Sequence, residues 1–220
     1  MTTPPLDRDD PLDDFDHRDI ILLGRKHRVY TMGRGPAVVV MTEMPGISPH
    51  VARFARWVRD AGFTVYMPHI FGKDGAVPRM PGALFTMLGG CISRQFRAFQ
   101  ANESSPATQW LRALAAQAHR ECGGKGVGAI GMCFSGGFAL GMMVDDIMLA
   151  PVLSQPSLPF AFGAKRSVDL NLSPADVQRV AQRASEGCQV LGLRYKGDRL
   201  VGTRFAELHK LLGDAFIAVE

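Results

Sequence analysis

The chain has 220 residues, of which 46% are hydrophobic and 21% charged, and its net charge is +4. This composition fits a folded domain with one substantial core and excludes a disordered or fibrous chain. No apolar run is long enough to span a bilayer and no charged-then-apolar leader opens the chain, so no membrane partner is expected.

Residues 1–17 are rich in Asp and Pro and lack periodicity. They are expected as a flexible acidic arm, ahead of a single domain over residues 18–220. Seven of the first 19 residues are Asp, against two Arg, so the rest of the chain is the basic part. Asp19–Leu23 and His27–Thr31 flank Gly24-Arg25-Lys26, which predicts a β-hairpin. The dense cluster Arg25-Lys26-His27-Arg28 has no interleaved aromatics for base stacking. It reads as a solvated turn, and no nucleic-acid partner is expected.

Ala37-Val38-Val39-Val40-Met41-Thr42 is an unbroken apolar run rich in β-branched residues, the pattern of a central parallel strand covered on both faces. It ends at Glu43-Met44-Pro45-Gly46. Ser48-Pro49 then predicts a helix start, with Ser as cap and Pro in the first turn. Val51, Phe54, Ala55, Val58 and Ala61 give that helix one apolar face, and Gly62 stops it. Phe63–Met67 is the next strand, closing at Pro68-His69. Residues 70–90 read as a loop over the carboxyl edge of the sheet. Helices are expected over Ser93–Gln100 and from Ser105-Pro106 to Gly123-Gly124.

After the segment 127–140, Ile147–Leu153 predicts a strand and residues 154–172 a Pro-rich loop. Ser173-Pro174-Ala175-Asp176 is a helix start, with a cap, a Pro and an acid three residues on. That helix runs to about Gly187. Gln189–Tyr195 is a strand, and Lys196-Gly197-Asp198 is its exit turn. Thr203–Leu212 is a helix, and Ala215–Glu220 begins a last strand. Alternating strands and helices predict an α/β fold, a mostly parallel sheet with helices on both faces and an antiparallel hairpin at its start.

The segment from Val127 to Leu140 organises the rest. Val127–Ile130 has the look of a buried strand. It breaks at Gly131-Met132-Cys133, and a helix-forming run follows at once, the layout of a nucleophile elbow. Small residues at 131, 135, 136 and 137 allow a tight turn and close packing. Centring the elbow on Ser135 would put Cys133 where a small residue is wanted. Centring it on Cys133 leaves Gly131 and Ser135 on either side, and this frame is preferred. A helix N-terminus beside Cys133 is expected to favour the thiolate. The competing reading is an inert buried Cys. Cys91, Cys122 and Cys188 lack such a setting, and no C-x-x-C spacing points to metal or redox work. Free thiols without an export signal point to the cytoplasm.

Three segments in this order resemble the dienelactone hydrolase family of the α/β-hydrolase superfamily. They are Val38–Gly46, Gly131-Met132-Cys133-Phe134-Ser135-Gly136-Gly137, and Gly197-Asp198-Arg199-Leu200-Val201. The resemblance implies that Cys133 is the nucleophile and Asp198 the acid that orients a catalytic His. It implies that Glu43 holds or deprotonates the Cys, and that the N–H groups of Met44 and Phe134 form the oxyanion hole. No cofactor and no metal is implied. A small-molecule ester or lactone is the implied substrate. Ser135 stands where the family more often has Gly. The family's His belongs after the last strand, which here begins at Ala215, so a chain truncated after that point or an inactive one is expected. His209 and His50 read as packing or structural residues, and His17, His27 and His119 as solvated. His69, at a strand end, is a candidate for the pocket wall. Arg79, Arg94 and Arg97 are available to grip a substrate carboxylate, and no motif chooses among them.

Three functions compete on the sequence. The first is hydrolysis of an ester or lactone through a Cys thioester. The second is an amidotransferase-like protein, which also sets Cys on a Gly-x-Cys-x-Gly elbow but wants a later His-x-Glu pair that is not seen. The third is a hydrolase-like binding protein with an incomplete triad.

Overall fold

Strand β3 (Ala37–Met41) lies in the middle of the sheet, and all of its side chains are buried. They alternate between two cores, as the two-residue period of a strand requires. Ala37, Val39 and Met41 enter the larger core, and Val38 and Val40 the smaller. The computed structural model describes residues 5–78, 105–157 and 168–220.

Around β3 stand β1 (Asp16–Leu22), β2 (Arg25–Met32), β4 (Thr64–Pro68), β5 (Val127–Met132), β6 (Met148–Ser154), β7 (Val190–Leu193) and β8 (Phe216–Val219). The sheet order is β1-β2-β4-β3-β5-β6-β7-β8. β1 and β2 pair antiparallel, as do β2 and β4, and every later pairing is parallel. The carboxyl ends of β3, β4, β5, β6, β7 and β8 therefore share one edge, where ligands of open α/β sheets bind.

Helix α1 (Pro49–Asp60) covers the smaller core through Val51, Ala52 and Ala55. The larger core lies under α2 (Pro106–Cys122), α3 (Gly136–Met142), α4 (Pro174–Ser185) and α5 (Arg204–Leu212). Trp110, Leu114, Phe138, Val180, Phe205 and Leu208 are among its helical contributions. Three of these helices start as the Ser-Pro pairs predict. Ser48, Ser105 and Ser173 each accept a hydrogen bond from a backbone N–H three residues on, at 3.3, 3.1 and 3.2 Å. Such caps contribute on the order of 1 kcal/mol each. Among the described residues no helix is long and apolar enough to cross a membrane.

Two local readings shift. The hairpin turns on Leu23-Gly24, one residue earlier than expected, with φ of 52° and 71°. Two positive φ values in succession give the turn whose twist matches the flanking strands. The acidic lead-in, where it is described, is anchored from Asp9 on and is not a free arm. Leu12 and Phe15 are buried in the smaller core. Asp10 takes two hydrogen bonds from the Arg56 guanidinium, at 2.6 and 3.0 Å, and Asp14 takes two more at 2.8 and 2.6 Å. The helix expected over 93–100, most of the loop expected over 70–90, and residues 158–167 lie outside the described residues.

Arg56→Met leaves the buried Asp10 without its cation. Breaking one side of such a pair is expected to cost about 3 kcal/mol, read as a lower urea midpoint. Arg56 holds the Asp14 carboxyl below its ordinary 3.8. That part of the stability is complete above the ordinary value and is lost as pH falls through the lowered one. The difference between wild type and Arg56→Met should therefore narrow below about pH 4. Equal urea midpoints at neutral pH would contradict the anchoring.

Candidate active site

β5 runs into a single 3-10 turn, Cys133–Ser135, and α3 follows directly. Cys133 sits at the bend with φ of 67°, a left-handed conformation uncommon for a side chain with a Cβ. The bend is possible because Gly131 has no side chain. A Cβ there would stand 2.3 Å from the Ser135 carbonyl oxygen and 2.9 Å from Gly136 Cα. Ser135 closes the turn on itself. Its hydroxyl accepts from the Met132 N–H at 3.0 Å and donates to the Met132 carbonyl at 3.1 Å. Fully buried and doubly bonded, Ser135 is a turn-former, and the elbow that folds is the one centred on Cys133.

Glu43 lies just past the end of β3, the neighbour of β5, and Asp198 lies in the turn after β7. Both carboxylates are close enough to the Cys133 sulfur to act on its charge. Ser157 Oγ is 3.8 Å from the sulfur, and the Ser157 N–H donates to the Cys133 carbonyl at 3.0 Å. The Phe134 N–H donates to the sulfur as well.

Burial is the largest influence on the thiol and pushes its pKa up. The hydrogen bonds from Ser157 and Phe134 oppose it, and the negative charges of Glu43 and Asp198 add to it. The net direction is upward, the reverse of the expectation from the helix terminus. The reason is geometric. α3 has only seven residues, and the sulfur is largely out of water beside two acids. Removing a thiolate from water outweighs a short helix dipole. Burial also pushes the Glu43 carboxyl up, with His50 acting against it.

Each acid is held by its loop. The Glu43 carbonyl accepts from the Gly46 N–H at 2.8 Å. Gly46, at φ of 137°, would place a Cβ 2.6 Å from the Phe71 carbonyl oxygen. Segments 43–48 and 69–75 thus nest without room for side chains, and the Phe71 ring packs 5.2 Å from that of Phe134. Met44 is partly buried against the larger core. Asp198 Oδ1 accepts from the N–H groups of Leu200 and Val201 at 2.9 and 3.4 Å, so Asp198 caps its own turn. Behind it the buried Arg204 donates to the carbonyls of Leu200, Val201 and Asp169, at 2.9, 3.0 and 2.7 Å. Burial drags that guanidinium down to about 10.

None of the histidines makes a hydrogen bond or ring contact with Cys133 or Asp198 among the described residues. The His27 ring meets the His69 carbonyl and stands edge-on to Trp110. His69 pairs with Asp74, which also accepts from Tyr30 Oη at 2.7 Å. His17 lies against the Tyr30 ring and His209 against Phe216. His119 is in α2, with Nδ1 buried. His50, read as structural, is exposed near Glu43. Cys122 and Cys188 are free thiols away from this edge. Cys91, Arg79, Arg94 and Arg97 lie outside the described residues. Among the described residues no group of His, Cys, Asp and Glu could hold a metal ion.

Ser157 and Arg204 escaped the sequence reading. Ser157 falls in a Pro-rich stretch with no motif, and Arg204 lies on an amphipathic helix, where an Arg is ordinarily solvated. The Gly-Asp turn before Arg204 was the one available hint.

The model of the dienelactone hydrolase family matches residues 22–154 of this chain. The chain belongs to the dienelactone hydrolase family. That stretch holds the loop of Glu43 and the whole elbow, and Asp198 lies beyond it. A search of the curated proteins returned no match. Solved structures do match in fold. One is a dienelactone hydrolase-like promiscuous phosphotriesterase from metagenomic libraries, at 22% identity and a TM-score of 0.60, covering 94% of this chain and 82% of that one. A cold-adapted esterase from an Arctic intertidal metagenomic library is 16% identical, with a TM-score of 0.55 over 96% of this chain and 86% of that one. A variant haloalkane dehalogenase from Agrobacterium tumefaciens is 12% identical, with a TM-score of 0.56 over 94% and 88%. The α/β-hydrolase fold of this dienelactone hydrolase family member is thus shared with enzymes of different chemistry.

Glu43→Gln removes one of the two negative charges that raise the thiol. The inflection in the pH dependence of Cys133 alkylation by iodoacetamide should move to lower pH, and alkylation at neutral pH should quicken several-fold. An unmoved inflection would show that Glu43 does not face the sulfur.

Proposed function

We propose that this protein hydrolyses a small carboxylic ester or lactone through a thioester on Cys133. The observation that carries this reading is a cysteine held at positive φ on a strand-to-helix bend, with Glu43 and Asp198 both acting on its sulfur. Membership of a hydrolase family supports it.

The proton balance sets the order of events. Ordinary thiol and Glu values are 9.0 and 4.5, a gap worth about 6 kcal/mol if the proton moved before anything else. Burial pushes the thiol further from its ionised form. The resting sulfur is therefore a thiol. Its proton passes to the Glu43 carboxylate as the sulfur lone pair bonds the acyl carbon and the carbonyl π pair moves to oxygen. That oxygen takes the N–H groups of Met44 and Phe134, a pair of donors of the kind whose loss typically costs about 3 kcal/mol of barrier. Collapse expels the alkoxide, which takes the proton back from the Glu43 carboxyl, and leaves the thioester.

Hydrolysis of the thioester needs a base for water. Asp198 suits the acid that orients an imidazole, because its turn is fixed by Arg204 from behind. None of the histidines from His17 to His209 fills that place among the described residues. The absence of an imidazole on Cys133 among the described residues favours, as a second reading, a hydrolase-like protein that binds an acyl ligand without turning it over.

A chromogenic short-chain ester separates the readings. The hydrolase reading expects a burst of one leaving group per chain followed by turnover, with both lost in Cys133→Ala. A burst without turnover means acylation lacking its deacylation base. No burst, with Cys133 intact, would sink the nucleophile assignment and favour the binding protein.

A further inference from the structure

Ser157 reaches the sulfur by a path the chain is bent to provide. β6 ends at Ser154, and Gln155 turns the backbone at φ of 50°, a left-handed conformation in a residue with a long side chain. The Gln155 N–H is fixed to the Leu193 carbonyl at 2.7 Å. Pro156 then presses on the start of α3 so closely that a Cβ on Gly136 would stand 2.7 Å from Pro156 Cα. The next residue is Ser157. Its N–H holds the Cys133 carbonyl at 3.0 Å, and its hydroxyl lies 3.8 Å from Sγ. Ser157 is only 2% exposed, and among the described residues the sulfur is the sole hydrogen-bond partner of its hydroxyl. The contact thus joins a cysteine at positive φ to a segment that turns, two residues before Ser157, on a second non-glycine residue at positive φ. Backbone strain of this kind persists where the surroundings fix a functional geometry.

The charges around the sulfur say what that contact does. Both carboxylates near it, Glu43 and Asp198, repel a negative sulfur. A thiolate in this setting gains from neutral donors, and the side-chain donor in reach is Ser157. A hydroxyl bonded to a charged acceptor is worth more than one bonded to a neutral thiol.

We propose that Ser157 is a further catalytic residue of this site, its hydroxyl donating a hydrogen bond to the Cys133 sulfur and carrying part of the negative charge that builds there as the thiol proton leaves. The proposal rests on Cys133 as the reactive thiol. Ser157 keeps its proton and forms no covalent bond, and the thiol proton still leaves to Glu43. Because Ser157 also holds the Cys133 carbonyl through its own N–H, replacing the side chain removes the hydroxyl and leaves the backbone clamp.

The test is the pH dependence of iodoacetamide alkylation, read by mass spectrometry on the peptide that carries Cys133. In Ser157→Ala the inflection should rise by about one pH unit, which is a roughly tenfold slower reaction at neutral pH. Ser157→Thr, which keeps a hydroxyl, should stay within about twofold of wild type. If Ser157→Ala does not fold, judged by circular dichroism, Ser157→Gly carries the same comparison with the same expected rise. A hydroxyl-free variant whose profile superposes on wild type overturns the proposal. So does a folded Ser157→Thr that behaves like Ser157→Ala, or a Cys133 that wild type never alkylates at any pH. Ester turnover measured in parallel keeps the two ideas apart. Wild type without turnover defeats the hydrolase reading, while the alkylation profiles still decide the role of Ser157.

Discussion

A backbone bend at residue 133 sets the terms for everything at the carboxyl edge of the sheet. It holds a cysteine in a left-handed conformation, which by itself costs of order 1 kcal/mol or more. The surroundings fix it from three sides. Gly131 lets the Ser135 carbonyl approach where a Cβ would be, the Ser135 hydroxyl ties both polar groups of Met132, and the Ser157 N–H takes the Cys133 carbonyl. Release any one of these and the sulfur loses its place. Beneath them lies Phe134, packed edge-on against Phe71 and Phe138, so the bend stands on a stack of buried rings.

The electrostatics of that position run against the simple picture of a cysteine activated by a helix. A half-buried sulfur under the influence of two acids is a poor thiolate, and burial first of all pushes its pKa up. This protects the resting protein, since a thiol reacts slowly with stray electrophiles. In the proposed mechanism the demand falls on the moment of attack, when charge would pass from sulfur to the acyl oxygen. The Ser157 hydroxyl already lies against the sulfur, and the Phe134 and Met44 N–H groups are the proposed donors to the oxyanion. Preorganisation of this kind contributes to the transition state and little to the ground state.

Much of this was legible in the chain itself, and the failures have physical causes. The run 37–42 announced a strand buried on both faces, and the alternation of its side chains between two cores bears that out. Three Ser-Pro pairs marked helix starts because cap and first-turn chemistry is local. The Gly131-Met132-Cys133 break announced the bend for the same reason. The acidic lead-in was misread because its Asp residues bond Arg56, 42 and 46 positions away, and no local pattern encodes that pairing. Ser157 and Arg204 were invisible for a like cause. Each acts through contacts made by tertiary folding, Ser157 with a residue 24 positions earlier and Arg204 with the Asp169 carbonyl 35 positions earlier. The direction of the thiol shift was missed because burial, which decides it, is a property of the fold.

In the proposed reaction the sulfur of residue 133 becomes the acyl carrier. The direct measurement is an acid quench seconds after mixing with a short-chain activated ester, followed by digestion and mass spectrometry of the peptides. One acyl group is expected, on Cys133, bound as a thioester that hydroxylamine removes at neutral pH. An acyl group found instead on Ser135 or Ser157, or an unmodified Cys133 after release of the leaving group, would contradict it.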